Sequence, residues 1–486
     1  MLFSSISFIF FMTAVFLIYW ALPHKYRWMA LLAANIFFYA SWDVRYLLVI
    51  LFATAVSYFG AILIEKASSP QKKKVLLTVG ILLTLFFLLL FKYANFALYS
   101  VEKVLKLFAV PIQETTLRLL MPVGISFFTF QMVGYIADVY KGKIAAEHHF
   151  GKYAVFVSFF PNIASGPIER AGNVLPQIEK EKKFDYTSAV YGMRLFLLGL
   201  LKKLVFADSM SKYVNVIFDH AKDYSGLSFI LATLLFTFQI YCDFSGYSDM
   251  AVGAAKLLGF DLMTNFKYPY LSSSIKEFWS RWHISLSTWF RDYVYIPLGG
   301  NRVSKLRRNL NLMVTFLASG LWHGASWTFV LWGGIHGACQ VAENTIKEWR
   351  KKAGKEKNAL KTDAVSKMTH FGKVLLIFCI VSFAWMFFRA NSISDAVYIL
   401  QHMFLGGSLQ TAMAEMTMSW LSVAKTGAAI VFLMVYDFFS QKHDLLKEMD
   451  RLKLPLRWLV YIATAVLIIV LNIHNGTTQE FIYFKF

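Results

Sequence analysis

Long apolar runs dominate this chain: 5–22, 28–41, 46–64, 75–100, 118–136, 151–166, 189–207, 226–242, 372–390, 419–439 and 456–473, with a glycine-punctuated stretch at 309–345 adding one or two more. Runs of this length and number leave few folds open. In hydrocarbon every backbone N–H and C=O must be satisfied within the protein, and a helix is the only open-chain element that does so by itself. Of the 486 residues, 57% are hydrophobic, 47 are phenylalanine and only 16% are charged, a balance that no soluble domain could expose. The sequence therefore predicts an all-α, polytopic membrane protein with about 11–13 membrane-entering helices and one membrane domain over 1–486.

The first apolar run is expected to be retained, because Met1–Ser5 has no basic residue and no small-x-small cleavage site follows. The formal charge of +20 does not point to nucleic acid. Lysine and arginine gather in short loops between spans, as the positive-inside rule demands of cytoplasmic connections. His24–Arg27, Lys66 with Lys72 to Lys74, Arg302 to Arg308, a basic loop at 346–370, and Lys442 to Arg457 are placed inside. The stretch 402–418, which has no lysine or arginine, is placed outside. Both termini, including a tail over 474–486, are then extracytoplasmic, and the locale is the cell membrane. Cys242, Cys339 and Cys379 sit in or beside apolar segments at no metal or disulfide spacing and read as small buried hydrophobes.

Chemistry concentrates between Gln239 and Gly337. His283 lies in Phe278-Trp279-Ser280-Arg281-Trp282-His283, His323 in Leu321-Trp322-His323-Gly324, and His336 in Trp332-Gly333-Gly334-Ile335-His336-Gly337. An ionisable side chain at bilayer depth costs a few kcal/mol even on lenient insertion scales, about 2.5–3.5, so it persists chiefly where a protein interior or a watery cavity uses it. Residues 274–292 have helical periodicity, pair Glu277 with Arg281 at i, i+4, and put His283 on a face with Trp279, Leu286 and Phe290. Their tryptophans and mixed charges suit a helix at the interface or along a funnel.

Between the inside loops at 302–308 and 347–367 there is room for two short helices that enter and return, with His323 near a break at depth. Glycines 320, 324, 333, 334 and 337 flank His323 and His336. They permit either a helix interruption where a substrate reaches the ring or the small-residue packing common in membrane bundles.

No Gly-x-Ser-x-Gly elbow, His-x4-Asp box, His-Glu-x-x-His zinc motif or Gly-x4-Gly-Lys loop occurs, which removes most soluble hydrolase, metalloenzyme and nucleotide-binding classes. What remains is a buried imidazole with no side-chain nucleophile beside it in sequence. Desolvation disfavours the imidazolium, so a histidine at depth stands neutral and able to take a proton from an incoming hydroxyl. Acyl transfer to a hydroxyl fits. A channel or flippase would need a continuous polar stripe, and the spans before residue 120 are nearly free of charge apart from Lys92.

Several longer motifs carry a family resemblance: Pro122-Val123-Gly124-Ile125-Ser126-Phe127-Phe128-Thr129-Phe130-Gln131, Ser165-Gly166-Pro167-Ile168-Glu169-Arg170, Tyr241-Cys242-Asp243-Phe244-Ser245-Gly246-Tyr247-Ser248-Asp249, and Phe278 to His283. Trp289-Phe290-Arg291-Asp292-Tyr293, Tyr295-Ile296-Pro297-Leu298-Gly299-Gly300-Asn301-Arg302 and Leu321-Trp322-His323-Gly324-Ala325-Ser326-Trp327 continue the series. Together they resemble the membrane-bound O-acyltransferases (MBOAT), in particular the branch typified by the membrane subunit of bacterial alginate O-acetylation.

The resemblance implies a ring of tilted helices with opposing funnels that meet near His323, the catalytic residue, and makes His283 a second residue on which activity depends. Asp243, Ser245, Asp249, Arg281, Trp322 and His336 would line or brace the substrate path, although a purely structural polar network is as good a reading for the two aspartates. No bound cofactor or metal is expected. The implied partners are a cytoplasmic acyl donor (acetyl-CoA, or an acyl carrier protein in a D-alanyl version), a polysaccharide acceptor, an extracytoplasmic transferase or esterase-like protein, and membrane lipid.

The closing residues Phe481-Ile482-Tyr483-Phe484-Lys485-Phe486 are similar to the terminal aromatic motif of envelope acylation systems, where the tyrosine is proposed to carry the acyl group. A phenol, with a pKa of about 10, ionises more easily than a sugar hydroxyl, and its ester is more activated. From composition alone the tail would read as an aromatic anchor at the membrane surface.

Overall fold

The computed structural model describes all residues except 109–116, 118–120, 165, 354–362, 476–480 and 483–486. Every regular element among the described residues is helical. Among the described residues six helices are long and apolar enough to cross a bilayer: Tyr46–Lys66, Pro70–Leu107, Leu227–Leu257, Lys367–Arg389, Trp420–Ser440 and Leu454–Leu471; Ile6–Ala21 is apolar but shorter. Several other expected spans are present as broken helices. The run 151–166 divides into Phe150–Ser158 and Phe160–Ile163, because Phe159 leaves helical geometry (φ −53°, ψ 107°) and the freed Phe160 amide donates to Asn35 Oδ1 at 2.9 Å. In the described part of the run 118–136 the helix begins at Ile125, after Gly124, whose φ of +75° and approach to the Ile163 carbonyl exclude a Cβ. The expected loop 346–370 is helical at both ends: Trp327–Lys352 runs into it, and the helix Asp363–Arg389 begins inside it.

The chain forms two compact units. One comprises Met1–Phe196 with Tyr247–Met263, the other Leu197–Gly246 with Thr264–Phe486. In the first unit the helix Ile125–Tyr140 is buried along all but its last residue. Glu169, fully buried, accepts from Asn173 Nδ2 at 2.8 Å and from the Met263 amide, which ties the Pro167–Arg170 loop to that unit's interior.

All three singled-out histidines belong to the second unit, whose centre is the hairpin Lys305–His323 and Trp327–Lys352. Glycine decides that packing. A Cβ on Gly320 would lie 2.2 Å from the Phe329 carbonyl oxygen, and one on Gly333 would lie 2.3 Å from that of Phe316, so the two backbones touch where the glycines face each other. The helices Trp420–Ser440 and Leu454–Leu471 of this unit bury few of their residues, as expected of surfaces turned to lipid.

Candidate active site

The helix Lys305–His323 ends at His323. Gly324 is extended (φ −161°, ψ 148°), and Ser326 caps the next helix by accepting from the Thr328 amide. A Cβ on Gly324 would meet the Phe329 ring at 2.1 Å, so the glycine lets that ring pack directly against the break. His323 thus sits at the C-terminal end of a helix, at depth in the protein, 1% exposed.

Residues 274–292 do not form one helix. Ile275–Arg281 and Ile284–Phe290 are separate, and His283 stands at the joint in the left-handed region (φ 44°, ψ 53°). Asn265 replaces the missing helical bonds: its carbonyl accepts from the Ile284 amide at 2.9 Å, and its Oδ1 accepts from Ser285 N at 3.2 Å. Left-handed geometry costs a non-glycine residue about 1 kcal/mol, and such conformations cluster at functional sites. The break removes His283 from the face it would have shared with Trp279 and turns it toward His323, with ring centroids 6.2 Å apart. Trp322 borders both rings, at 5.8 and 5.0 Å, and Phe244 meets His283 edge-on at 4.6 Å.

His336 is not part of this pair. Trp332 stands between it and His323, 4.9 Å from the one and 5.0 Å from the other, and Phe278 stacks on His336 at an interplanar angle of 5°. Arg281 also points elsewhere: its Nη2 pairs with Glu277 Oε1 at 2.6 Å, its Nη1 donates to the Leu271 carbonyl, and its guanidinium lies over Tyr268. Ser245 is fully buried in the same unit, whereas Asp249 belongs to the other unit. Asp243 is engaged on both oxygens, Oδ1 with Lys203 Nζ at 2.8 Å and Oδ2 with the amide of Ile482 at 2.9 Å. Tyr483 lies outside the described residues.

A cavity of about 610 Å³ adjoins the histidine pair. Its walls include Ile284, the residue after His283, Ser319, one helical turn before His323, and Trp279; Lys276 and Arg291 are its basic groups, beside Ser287, Thr288, Asn301 and Gln340. Neither catalytic candidate lines it. Trp279 packs on Trp332 at 5.7 Å, and Trp332 on His323, so along this line two aromatic rings separate the cavity from the imidazole.

Three groups escaped the sequence reading. Lys203, paired with both Asp208 (2.7 Å) and Asp243, was detectable as an ionisable residue inside an apolar run. Asn265, which breaks the helix at His283, and Phe244, the ring between His283 and Phe481 (5.8 Å), left no such local signal.

A helical membrane domain with a buried histidine pair beside a basic-edged cavity is the setting of an intramembrane transferase, and comparison with known proteins agrees. Residues 143–384 match the model of the MBOAT, membrane-bound O-acyltransferase family. A probable alginate O-acetylase of Azotobacter vinelandii is 36% identical over 91% of this chain and 86% of its own length. A peptidoglycan O-acetyltransferase of Helicobacter pylori is 34% identical over 77% of this chain and 73% of its own. A teichoic acid D-alanyltransferase of Streptococcus thermophilus is 33% identical over 59% and 75%. The chain belongs to the membrane-bound O-acyltransferase family, and it is a multi-pass membrane enzyme that transfers acyl groups to oxygen.

Proposed function

We propose that this chain takes an acetyl group from cytoplasmic acetyl-CoA and carries it through the cell membrane for O-acetylation of an envelope or exported polysaccharide. The observation that carries this reading is the buried pair His283 and His323, with tail residue Phe481 one ring away through Phe244. His323 is the general base. It takes the phenolic proton of Tyr483; the phenolate oxygen attacks the thioester carbonyl, the C–S bond breaks, and the coenzyme A thiolate leaves, taking up the proton from His323. His283 holds the geometry or serves as second base. The acetyl-tyrosine ester then passes its acyl group to a polymer hydroxyl, restoring the phenol, with an extracytoplasmic transferase-like partner completing delivery.

Acetyl is favoured over D-alanyl by the alginate and peptidoglycan O-acetylation relatives, which match far more of the chain than the D-alanyltransferase does. Lys276 and Arg291 at the cavity give an anionic, phosphate-bearing donor two positive charges to meet. The basic loops put this cavity's neighbour, 302–308, on the cytoplasmic side and both termini outside. Membranes containing the chain, given acetyl-CoA labelled in the acetyl group, should yield chain labelled at Tyr483 by peptide mass spectrometry. Label entering only from an acylated carrier protein would replace acetyl by D-alanyl, and label reaching polymer without any tyrosyl ester would remove the carrier.

A further inference from the structure

The seven residues Leu201–Ala207 are wound as a π-helix, and both lysines within it are buried. Insertions of this kind re-aim side chains, often at functional sites. Opposite, Gly246 allows the helix Leu227–Leu257 to come so near that a Cβ would stand 2.8 Å from the Gly199 carbonyl and 3.1 Å from Lys203 N. This approach brings Lys203 between Asp208 and Asp243, with the three side chains 1%, 3% and 4% exposed. An ion at such depth costs several kcal/mol unless paired and hydrogen-bonded. Asp243 divides its two oxygens between partners of different kinds: Oδ1 faces Lys203, and Oδ2 accepts from a backbone amide 239 residues away, that of Ile482. Phe481 and Ile482 are themselves 0% and 6% exposed, so the polar contact comes with burial of two apolar side chains.

We propose that Asp243, braced by Lys203, is a positioning residue that holds the C-terminal tail by its Ile482 amide beside the histidine pair. A backbone amide carries no side-chain identity, so this contact fixes where residue 482 sits whatever follows it. Phe481 against Phe244 sets the lateral placement, and Phe244 in turn borders His283. The two carboxylate oxygens give the latch direction: neutralising Lys203 or Asp243 releases a backbone group and no catalytic atom. Its value to the enzyme rests on the acyl-carrier reading of Tyr483, the residue after Ile482, but its existence does not.

The test reads tail position directly, on purified full-length protein in detergent. Ile482→Cys keeps the amide and supplies a buried thiol in a background with Cys242 replaced by alanine and Cys339 and Cys379 by serine; its reaction with a bulky maleimide is timed with and without Asp243→Ala. Labelling is expected to be slow with Asp243 present and at least tenfold faster without it, and equal rates would overturn the latch. Should Asp243→Ala fail to fold, a Phe481→Cys probe is timed with Ile482→Pro, which removes the tail amide N–H and the Ile482 side chain, and with Ile482→Ala, which removes the side chain alone; a tenfold rise over Ile482→Ala is expected, and no rise over it refutes the proposal. Tyr483→Phe separates the two readings: loss of acetyl transfer with labelling still slow upholds both, whereas transfer retained with slow labelling removes the carrier and leaves the latch standing.

Discussion

His323 and His336 occupy contrasting regions of one hairpin. Both are buried and glycine-flanked, with a tryptophan within four residues in sequence. His323 ends its helix at a glycine break and faces a second histidine held in a strained backbone conformation. His336 lies inside the continuous helix Trp327–Lys352, closed in by Phe278, Trp279 and Trp332. The difference teaches that burial of an imidazole marks nothing by itself. What sets His323 apart is a break in the helix directly after it, together with a second segment that brings another imidazole to it.

The strongest test of that contrast is Tyr483→Phe, which deletes the proposed acceptor atom and is expected to abolish acetyl transfer to polymer. Unchanged product in cell-wall mass spectrometry would return the tail to a membrane anchor. His323→Ala removes the proposed general base and should lower transfer by about 10²–10⁴-fold with normal membrane insertion. A variant that keeps even a tenth of wild-type turnover would move the base elsewhere.

Trp279→Ala, which removes the outer of the two aromatic rings between cavity and imidazole, should raise unproductive hydrolysis of acetyl-CoA severalfold, measured as free thiol released without polymer acylation. Hydrolysis at the wild-type rate would show that this ring does not gate water. At position 283, Gly relieves the left-handed strain that Ala retains, so the thermal stability of His283→Gly should exceed that of His283→Ala by about 1 kcal/mol. Equal melting would mean that the joint rearranges. The smallest effect is expected of His336→Phe, which preserves an aromatic ring in the stack and should leave transfer within about twofold. A loss comparable to that of His323→Ala would erase the comparison.

Much of the site was legible because its signals are local. The pairing of Glu277 with Arg281 follows from i, i+4 spacing, and the break after His323 follows from the glycines around it. Where the reading went astray, a distant segment had overridden local periodicity. Residues 274–292 have the pattern of one helix, but Asn265 offers its carbonyl and side-chain oxygen to the amides of Ile284 and Ser285, and the helix yields at His283. Asp243 read either as lining or bracing the substrate path or as part of a structural polar network; the contacts it makes are with Lys203 and the Ile482 amide, which no local pattern announces.

The sequence alone determined that this chain is helical and lives in a bilayer, because the length of an apolar run and the need to satisfy a backbone in hydrocarbon are properties of single segments. It also determined which residue types could do chemistry there. Which histidines meet, and which group holds the tail, only the tertiary structure decided. Contacts between residues 40 or 239 positions apart depend on backbone approach at Gly246, on a π turn at Lys203 and on a helix broken by Asn265, none of which has a period to read.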